Sequence, residues 1–213
     1  MSASQPLDSF ELAALLCSRV CHDVISPVGA IVNGLEVLAD EKDEAMKENA
    51  LDLIRRSAAQ ASARLQFARL AFGAAGSAGS QIDLGDAEAV VRGLLSDERL
   101  ELLWNLPRLL LPKDRVKLLL NLVVLGAGAI PRGGKLSVDA VGEGEQMGFR
   151  LTAEGPNAKL SQAVQTSLAA TSGAGIDAHV IQPYYAALLA RAAGLKIAVT
   201  NASDGVTLTA VQA

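Results

Sequence analysis

The chain has 213 residues, half of them apolar, with 19 basic against 23 acidic side chains and a formal net charge of −4. That is enough apolar material for one medium core or two small ones. The low aromatic content and the absence of a basic block exclude the electrostatic footprint of a nucleic-acid binder.

The first residues, "MSASQPLDSFELAALL", carry no basic region followed by an apolar core and cleavage site, and no uninterrupted apolar run approaches the ~20 residues of a membrane span. A cytoplasmic location without membrane contact is expected. From Ser9 to Asp40 the apolar residues Phe10, Ala14, Cys17, Cys21, Val24, Val28, Ile31, Leu35 and Leu38 recur at alternating steps of four and three. This is the seam of a helix that packs lengthwise against other helices, and Asp8 or Ser9 can cap its start. The two cysteines make no disulfide framework and read as small core residues.

A polar reversal near Asp40 to Asp43 leads into a second seam at Leu51, Ile54, Ala58, Ala61, Leu65, Ala68 and Phe72, which ends at Gly73. The two helices form an antiparallel hairpin. A lone hairpin leaves much of its seams wet, whereas two hairpins joined as a four-helix bundle bury them, so a homodimer is expected.

On the first helix Arg19, His22, Ser26, Gly29 and Asn33 recur at three- and four-residue steps and form a polar or small-residue stripe beside the seam. His22 therefore faces solvent, where a neutral imidazole can act as a nucleophile. Asp23 can hold or polarise the ring, although neighbouring helical residues do not face each other directly. Pro27 removes a backbone N–H and frees the carbonyl of Asp23, which predicts a local bend. A metal site at Cys17, Cys21 and His22 is disfavoured, because the cysteines lie on the seam and no further cysteine is available.

"GAAGSAGSQ", Gly73 to Gln81, reads as a flexible linker. It divides a helical hairpin and dimerisation segment, 1–73, from a second domain, 82–213, with 74–81 between them. Beyond it strands are predicted at "SQIDL", "LELLW", "KLSVDAVG", "GFRLTAEG", "KIAVTN" and "GVTLTAV". Helices are predicted over Ala87 to Leu95, Pro112 to Ala127, Leu160 to Ala170 and Gln182 to Ala193. With hairpin signals at Glu143-Gly144 and Asp204-Gly205, the order predicts an α+β sandwich in which helices cover one face of a sheet.

"HDVISP" resembles the H-box of dimeric sensor histidine kinases, where a phospho-accepting histidine is followed by an acid, then a small polar residue, then proline; the match covers His22, Asp23, Ser26 and Pro27. That family carries a Bergerat-type ATP-binding α/β domain after the hairpin. Leu118 to Val138 is similar to its asparagine-bearing helix and Gly-Gly turn, with Asn121 and Gly133-Gly134 matching. Leu125 stands where the second asparagine would contact nucleotide and magnesium. Ala153 stands where an aspartate would read the adenine, Gly155 is kept, Asn157 replaces the next glycine, and Gly173 and Gly175 are the only remnant of a phosphate lid.

A histidine hairpin with such a stripped tail resembles the ChpT-type histidine phosphotransferases of alphaproteobacteria, over Phe10 to Val211. The resemblance implies a dimeric relay that accepts a phosphoryl group at His22 from the receiver domain of a hybrid histidine kinase and passes it to response-regulator receiver domains. Asp23 would assist. It implies no ATP and no cofactor in this chain, with Mg²⁺ brought by the receiver. The docking face would hold Arg19, Ser26, Gly29 and Asn33 and, counted back across the hairpin turn, Gln60 and Arg64. An active kinase with a divergent ATP site and a non-catalytic dimeric adaptor are the alternatives. Leu125 and Ala153 weigh against the first, and the acceptor pattern against the second.

Overall fold

The computed structural model describes residues 5–73, 80–96 and 99–212. The expected linker at 74–81 lies outside the described residues, apart from its last two positions.

Helix α1 (Ser9–Asp40) starts where the Asp8 carboxylate accepts the N–H groups of Phe10 and Glu11, at 2.8 and 2.9 Å. Helix α2 (Glu44–Ala71) starts in the same way on Asp43, which accepts from Ala45. Each cap satisfies donors that an unaided first turn leaves orphaned. The two helices pack along each other as the expected hairpin.

The face that α1 turns to α2 coincides only in part with the expected seam, sharing Ile31 and Leu38 with it. Its buried members are Pro27 and Gly34, and the half-buried Leu16, Val20, Ile31 and Leu38 fall on the same face at steps of three, four and seven. A Cβ on Gly34 would stand 2.7 Å from Ile54 Cγ1, so the close approach of α2 requires glycine there. On α2 the buried residues of the upper hairpin are small: Ala50, Ser57 and Ala61. Meanwhile Phe10, Ala14, Val28 and Leu35 of the expected seam are exposed, with Phe10 at 85 %. Cys17 and Cys21 are exposed with them, so they are surface thiols in the single chain and not core residues. The helix carries two neighbouring apolar stripes, and the narrower one built of small residues meets α2.

Five strands make the main sheet: β2 (Leu100–Asn105), β4 (Gly134–Val141), β5 (Gly148–Glu154), β6 (Leu195–Ala202) and β7 (Gly205–Gln212), in the order β2-β4-β5-β7-β6. Only β2 and β4 run parallel. The turns after Val141 and at Asp204 close the two predicted hairpins. Along β4, β5 and β7 the residues Leu136, Val138, Phe149, Leu151, Ala153, Val206, Leu208 and Ala210 are buried, and the positions between them are polar or partly exposed. This period-two alternation is what a sheet with one covered face requires. The cover is α4 (Lys113–Ala129) and α6 (Ile181–Ala192), with α3 (Leu84–Leu94) and α5 (Gln162–Ala169) flanking them. The result is the expected two-layer α+β sandwich.

Two details differ from the expectation. Helix α3 begins at Leu84, because the Asp83 carboxylate caps it through the Gly85 N–H at 2.6 Å. A short strand β3 (Leu110–Pro112) pairs with β1 (Gln81–Asp83) and escaped the sequence pattern because three residues show no alternation. Helix α4 is buried on nearly every side, so burial pushes the Lys117 ammonium below its ordinary pKa, while Arg115 donates to the Met147 carbonyl at 2.8 Å.

The hairpin and the sandwich share one apolar core, since Phe67 and Ala71 of α2 belong to the same buried cluster as the sheet residues. Phe72 meets Tyr185 edge-on, with ring centroids 5.8 Å apart. The segment ahead of α1 ties down as well: the Leu7 N–H donates to the buried Tyr184 hydroxyl at 3.2 Å, and the Gly173 N–H to the Gln5 carbonyl at 2.9 Å. These contacts hold the start of α1 and the end of α2 against α6 and the turn that precedes it.

The His22 turn as candidate functional site

Pro27 lacks the N–H that would close the helical bond to the Asp23 carbonyl, one turn earlier. The guanidinium of Arg64, reaching across from α2, donates from Nη1 to that carbonyl. The Asp23 carboxylate is engaged too: Arg19 Nε donates to Oδ2 at 3.0 Å, and Oδ1 stands 3.5 Å from His22 Nδ1. One residue thus binds two arginines and faces the histidine. The side chain of His22 is 69 % exposed and that of Asp23 34 %. With Nδ1 turned to the carboxylate, His22 Nε2 is the nitrogen left for an incoming group.

The rest of the predicted stripe is where the helical spacing puts it. Ser26 and Asn33 are exposed and Gly29 is half-exposed, with nothing within 4 Å of where its Cβ would be. Gln60 is exposed on α2 and lines, with Arg19, Asp23, Arg64 and Phe67, a cleft of about 320 Å³ between hairpin and sandwich. Arg19 and Arg64 are not free docking charges, for both are held by Asp23.

The sequence did not indicate that His179 belongs here. It sits on the turn ahead of α6, where the Asp177 carboxylate accepts the N–H groups of His179 and Val180 at 2.9 and 3.2 Å. Its ring meets His22 edge to face, with centroids 6.2 Å apart and an interplanar angle of 76°. No local spacing could have paired two residues from opposite ends of the chain.

Beside this pair opens a cleft of about 660 Å³ whose lining includes Arg19, Leu125, Arg132, Lys159 and His179 and, among the described residues, no acid. Asn121 and Ala153 do not line it. Asn121 is fully buried, its amide donating to the Lys117 carbonyl at 2.8 Å and its Oδ1 without a partner, and Ala153 lies inside the sheet core. Gly133-Gly134 and Gly155 serve the backbone: a Cβ on Gly155 would stand 2.4 Å from the Gly133 carbonyl oxygen. Among the described residues no group of three or more His, Cys, Asp or Glu could hold a metal.

A family model for the C-terminal domain of histidine phosphotransferases matches residues 84–205. The protein phosphotransferase ChpT of Brucella abortus (strain 2308) is 49 % identical over 214 residues, spanning 99 % of this chain and 100 % of that one. A bacterial phosphotransferase solved at 1.7 Å superimposes with a TM-score of 0.88 at 46 % identity, over 98 % of this chain and 100 % of that one. The histidine kinase AdeS of Acinetobacter baumannii aligns with a TM-score of 0.47 at 13 % identity, over 89 % of this chain and 95 % of that one.

Replacing Arg64 with methionine keeps the stem and removes the donor, so the Asp23 carbonyl loses its only replacement partner; we expect a loss of about 1 kcal/mol, the usual net worth of a hydrogen bond. Adding Pro27→Ala returns an N–H to that carbonyl. In a calorimetric double-mutant cycle the second change should therefore restore stability to the first, and additive effects would separate the two residues.

Proposed function

Since this chain belongs to the histidine phosphotransferase family, we propose that His22 is its phosphoryl carrier, taking the group from an aspartyl phosphate on the receiver domain of a hybrid histidine kinase and giving it to the receiver aspartate of a response regulator. The observation that supports this most is the exposed His22 ring with Nδ1 facing Asp23 Oδ1 at 3.5 Å. Asp23 accepts the Nδ1–H, so the lone pair lies on Nε2. Nε2 attacks the phosphorus in line; the N–P bond forms as the P–O bond to the receiver carboxylate breaks, and that carboxylate leaves with the electron pair. The Nδ1 proton stays on the ring. Because the transition state of such a transfer needs mainly positioning and charge neutralisation, a nucleophile held in one tautomer is most of what this chain must supply. The receiver brings Mg²⁺.

The docking face we assign contains Ser26, Gly29, Asn33 and Gln60, which are open to a partner, flanked by Arg19 and Arg64. Gly29 offers an approaching helix backbone without a side chain.

We assign the other exposed face of the hairpin to a second copy of the chain. Phe10, Ile25, Val28, Val32 and Leu35 on α1, with Leu51 and Leu65 on α2, stay exposed in the single chain. A stripe that runs nearly the whole length of the hairpin is covered by a partner equally long, and a four-helix bundle provides one. Helix α1 is long and apolar enough to cross a membrane, but Arg19, His22 and Asp23 in its middle would be costly in hydrocarbon. An aqueous, cytoplasmic bundle suits it better. Val28→Glu places an unpaired charge in the bundle, at a cost of several kcal/mol, and should give monomers or aggregates in sedimentation velocity. A wild-type chain that stays monomeric at micromolar concentration would remove the bundle.

We further propose that the larger cleft gives ATP no useful site, because Leu125 lines it without offering a metal anchor and Ala153, inside the sheet core, offers no acceptor for an adenine amino group. Titration with Mg-ATP should show no heat up to millimolar ligand. Low-micromolar binding would favour an active kinase instead.

The acceptor itself is tested by incubating the chain with a phosphorylated receiver. Label should resist alkali, be lost in acid and vanish in His22→Ala. Asp23→Asn should slow transfer without abolishing it, because the amide no longer neutralises the charge that the His22 ring gains while it keeps its Nδ1 proton. Label that persists on His22→Ala would move the acceptor elsewhere, and a chain that never takes label would be an adaptor.

A further inference from the structure

His179 comes from a different domain than His22, is exposed, and still meets it edge to face at 6.2 Å between ring centroids. An exposed imidazole contributes little to folding, so packing alone gives no reason for a polar ring at that spot. The turn that carries it is nonetheless fixed, by the two N–H groups that Asp177 accepts and by the Gly173 to Gln5 bond a few residues earlier. The ring also lines the larger cleft together with Arg19, Arg132 and Lys159, and among the described residues no carboxylate lines it. Since His22 Nδ1 is turned to Asp23, an incoming phosphoryl group takes the other nitrogen and leaves the Asp23 side of the ring. Its two negative charges then need donors on that side.

We propose that His179 is a positioning residue for the phosphorylated state: it fixes the His22 ring by edge contact and donates a ring N–H to a phosphoryl oxygen once the group is on Nε2. This rests on His22 being the acceptor. Neither bond of the transfer step involves His179; it makes one hydrogen bond to the product, and so sets the lifetime of the phosphohistidine and its equilibrium with the receiver aspartate. The sandwich domain thereby acts on the transfer without binding a nucleotide. The remaining exposure of His22, 69 %, leaves the receiver its approach.

The test uses the full chain phosphorylated with phosphoramidate, with phosphorus NMR following the half-life of the phosphohistidine. His179→Phe keeps an aromatic edge and removes the donor, His179→Gln keeps a donor without the ring, and His179→Ala removes both. We expect Phe and Ala to shorten the half-life on the order of tenfold, the lower end of what a hydrogen bond to a charged group contributes. Gln should recover most of the loss. All three should melt as the wild type does, because the residue is exposed. A His179→Phe chain with the wild-type half-life would reduce the contact to packing, and a wild-type half-life in His179→Ala would overturn the inference altogether. Phosphorylation of His22→Ala would instead strike at the acceptor assignment, so the two failures are told apart.

Discussion

The site is organised around the carbonyl of Asp23. A proline at Pro27 leaves it without its helical donor, and a bent helix with an orphan carbonyl would ordinarily be a defect of about 3 kcal/mol. Here the vacancy is filled from the neighbouring helix by Arg64. A guanidinium suits this better than an ammonium, because its planar fork keeps its direction while the stem packs against the hairpin. The same residue's carboxylate engages Arg19 and faces His22. Backbone and side chain of one residue therefore link the register of α1 on α2 to the orientation of the imidazole. A slip of the hairpin would reorient the ring.

The sandwich keeps its shape by means that have nothing to do with a nucleotide. Ala153 and Leu125 occupy positions that the kinase resemblance reserves for polar contacts, and both are buried apolar residues here. An alanine between Leu136 and Val206 on a covered sheet face needs no ligand to be stable. Asn121 shows the reverse. It persists in the core, where its amide donates to the Lys117 carbonyl and its Oδ1 has no partner among the described residues. Of the glycines that remain, Gly134 and Gly155 are held by backbone crowding where β4 starts and β5 ends, and Gly133 by the Arg99 carbonyl just ahead of β2.

How much of this was legible depended on the range of each interaction. Strands with period-two alternation and helices with aspartate caps could be read because the determinants lie within a few residues of each other. The freed carbonyl at Asp23 was legible for the same reason, being a local consequence of Pro27. Its partner Arg64 was not, since helical spacing shows which face a residue occupies and not what it reaches. The α2 face of α1 was only partly legible, for a related reason: alternating steps of three and four identify an apolar stripe, but two such stripes lie side by side and share Ile31 and Leu38. The choice between them fell to Gly34 and its clearance from Ile54. His179 depended entirely on tertiary contact.

Arg19, on the polar stripe of α1, lines the clefts beside the sandwich and His22 meets His179 there, while Phe10, Val28, Val32 and Leu35 lie on a face that stays exposed among the described residues. A helix exposes only a limited arc to each neighbour, and α1 divides its arcs among α2, the sandwich and solvent. The small residues at the α2 contact make this division geometrically feasible, because a close helix pair leaves more of α1's circumference open on either side. Larger side chains in place of Gly34 and Ala61 would push α2 outward, drawing Arg64 away from the Asp23 carbonyl and shifting the exposed apolar stripe at once. The hairpin's tight packing, more than any one polar contact, keeps the acceptor turn and the uncovered face in a fixed relation.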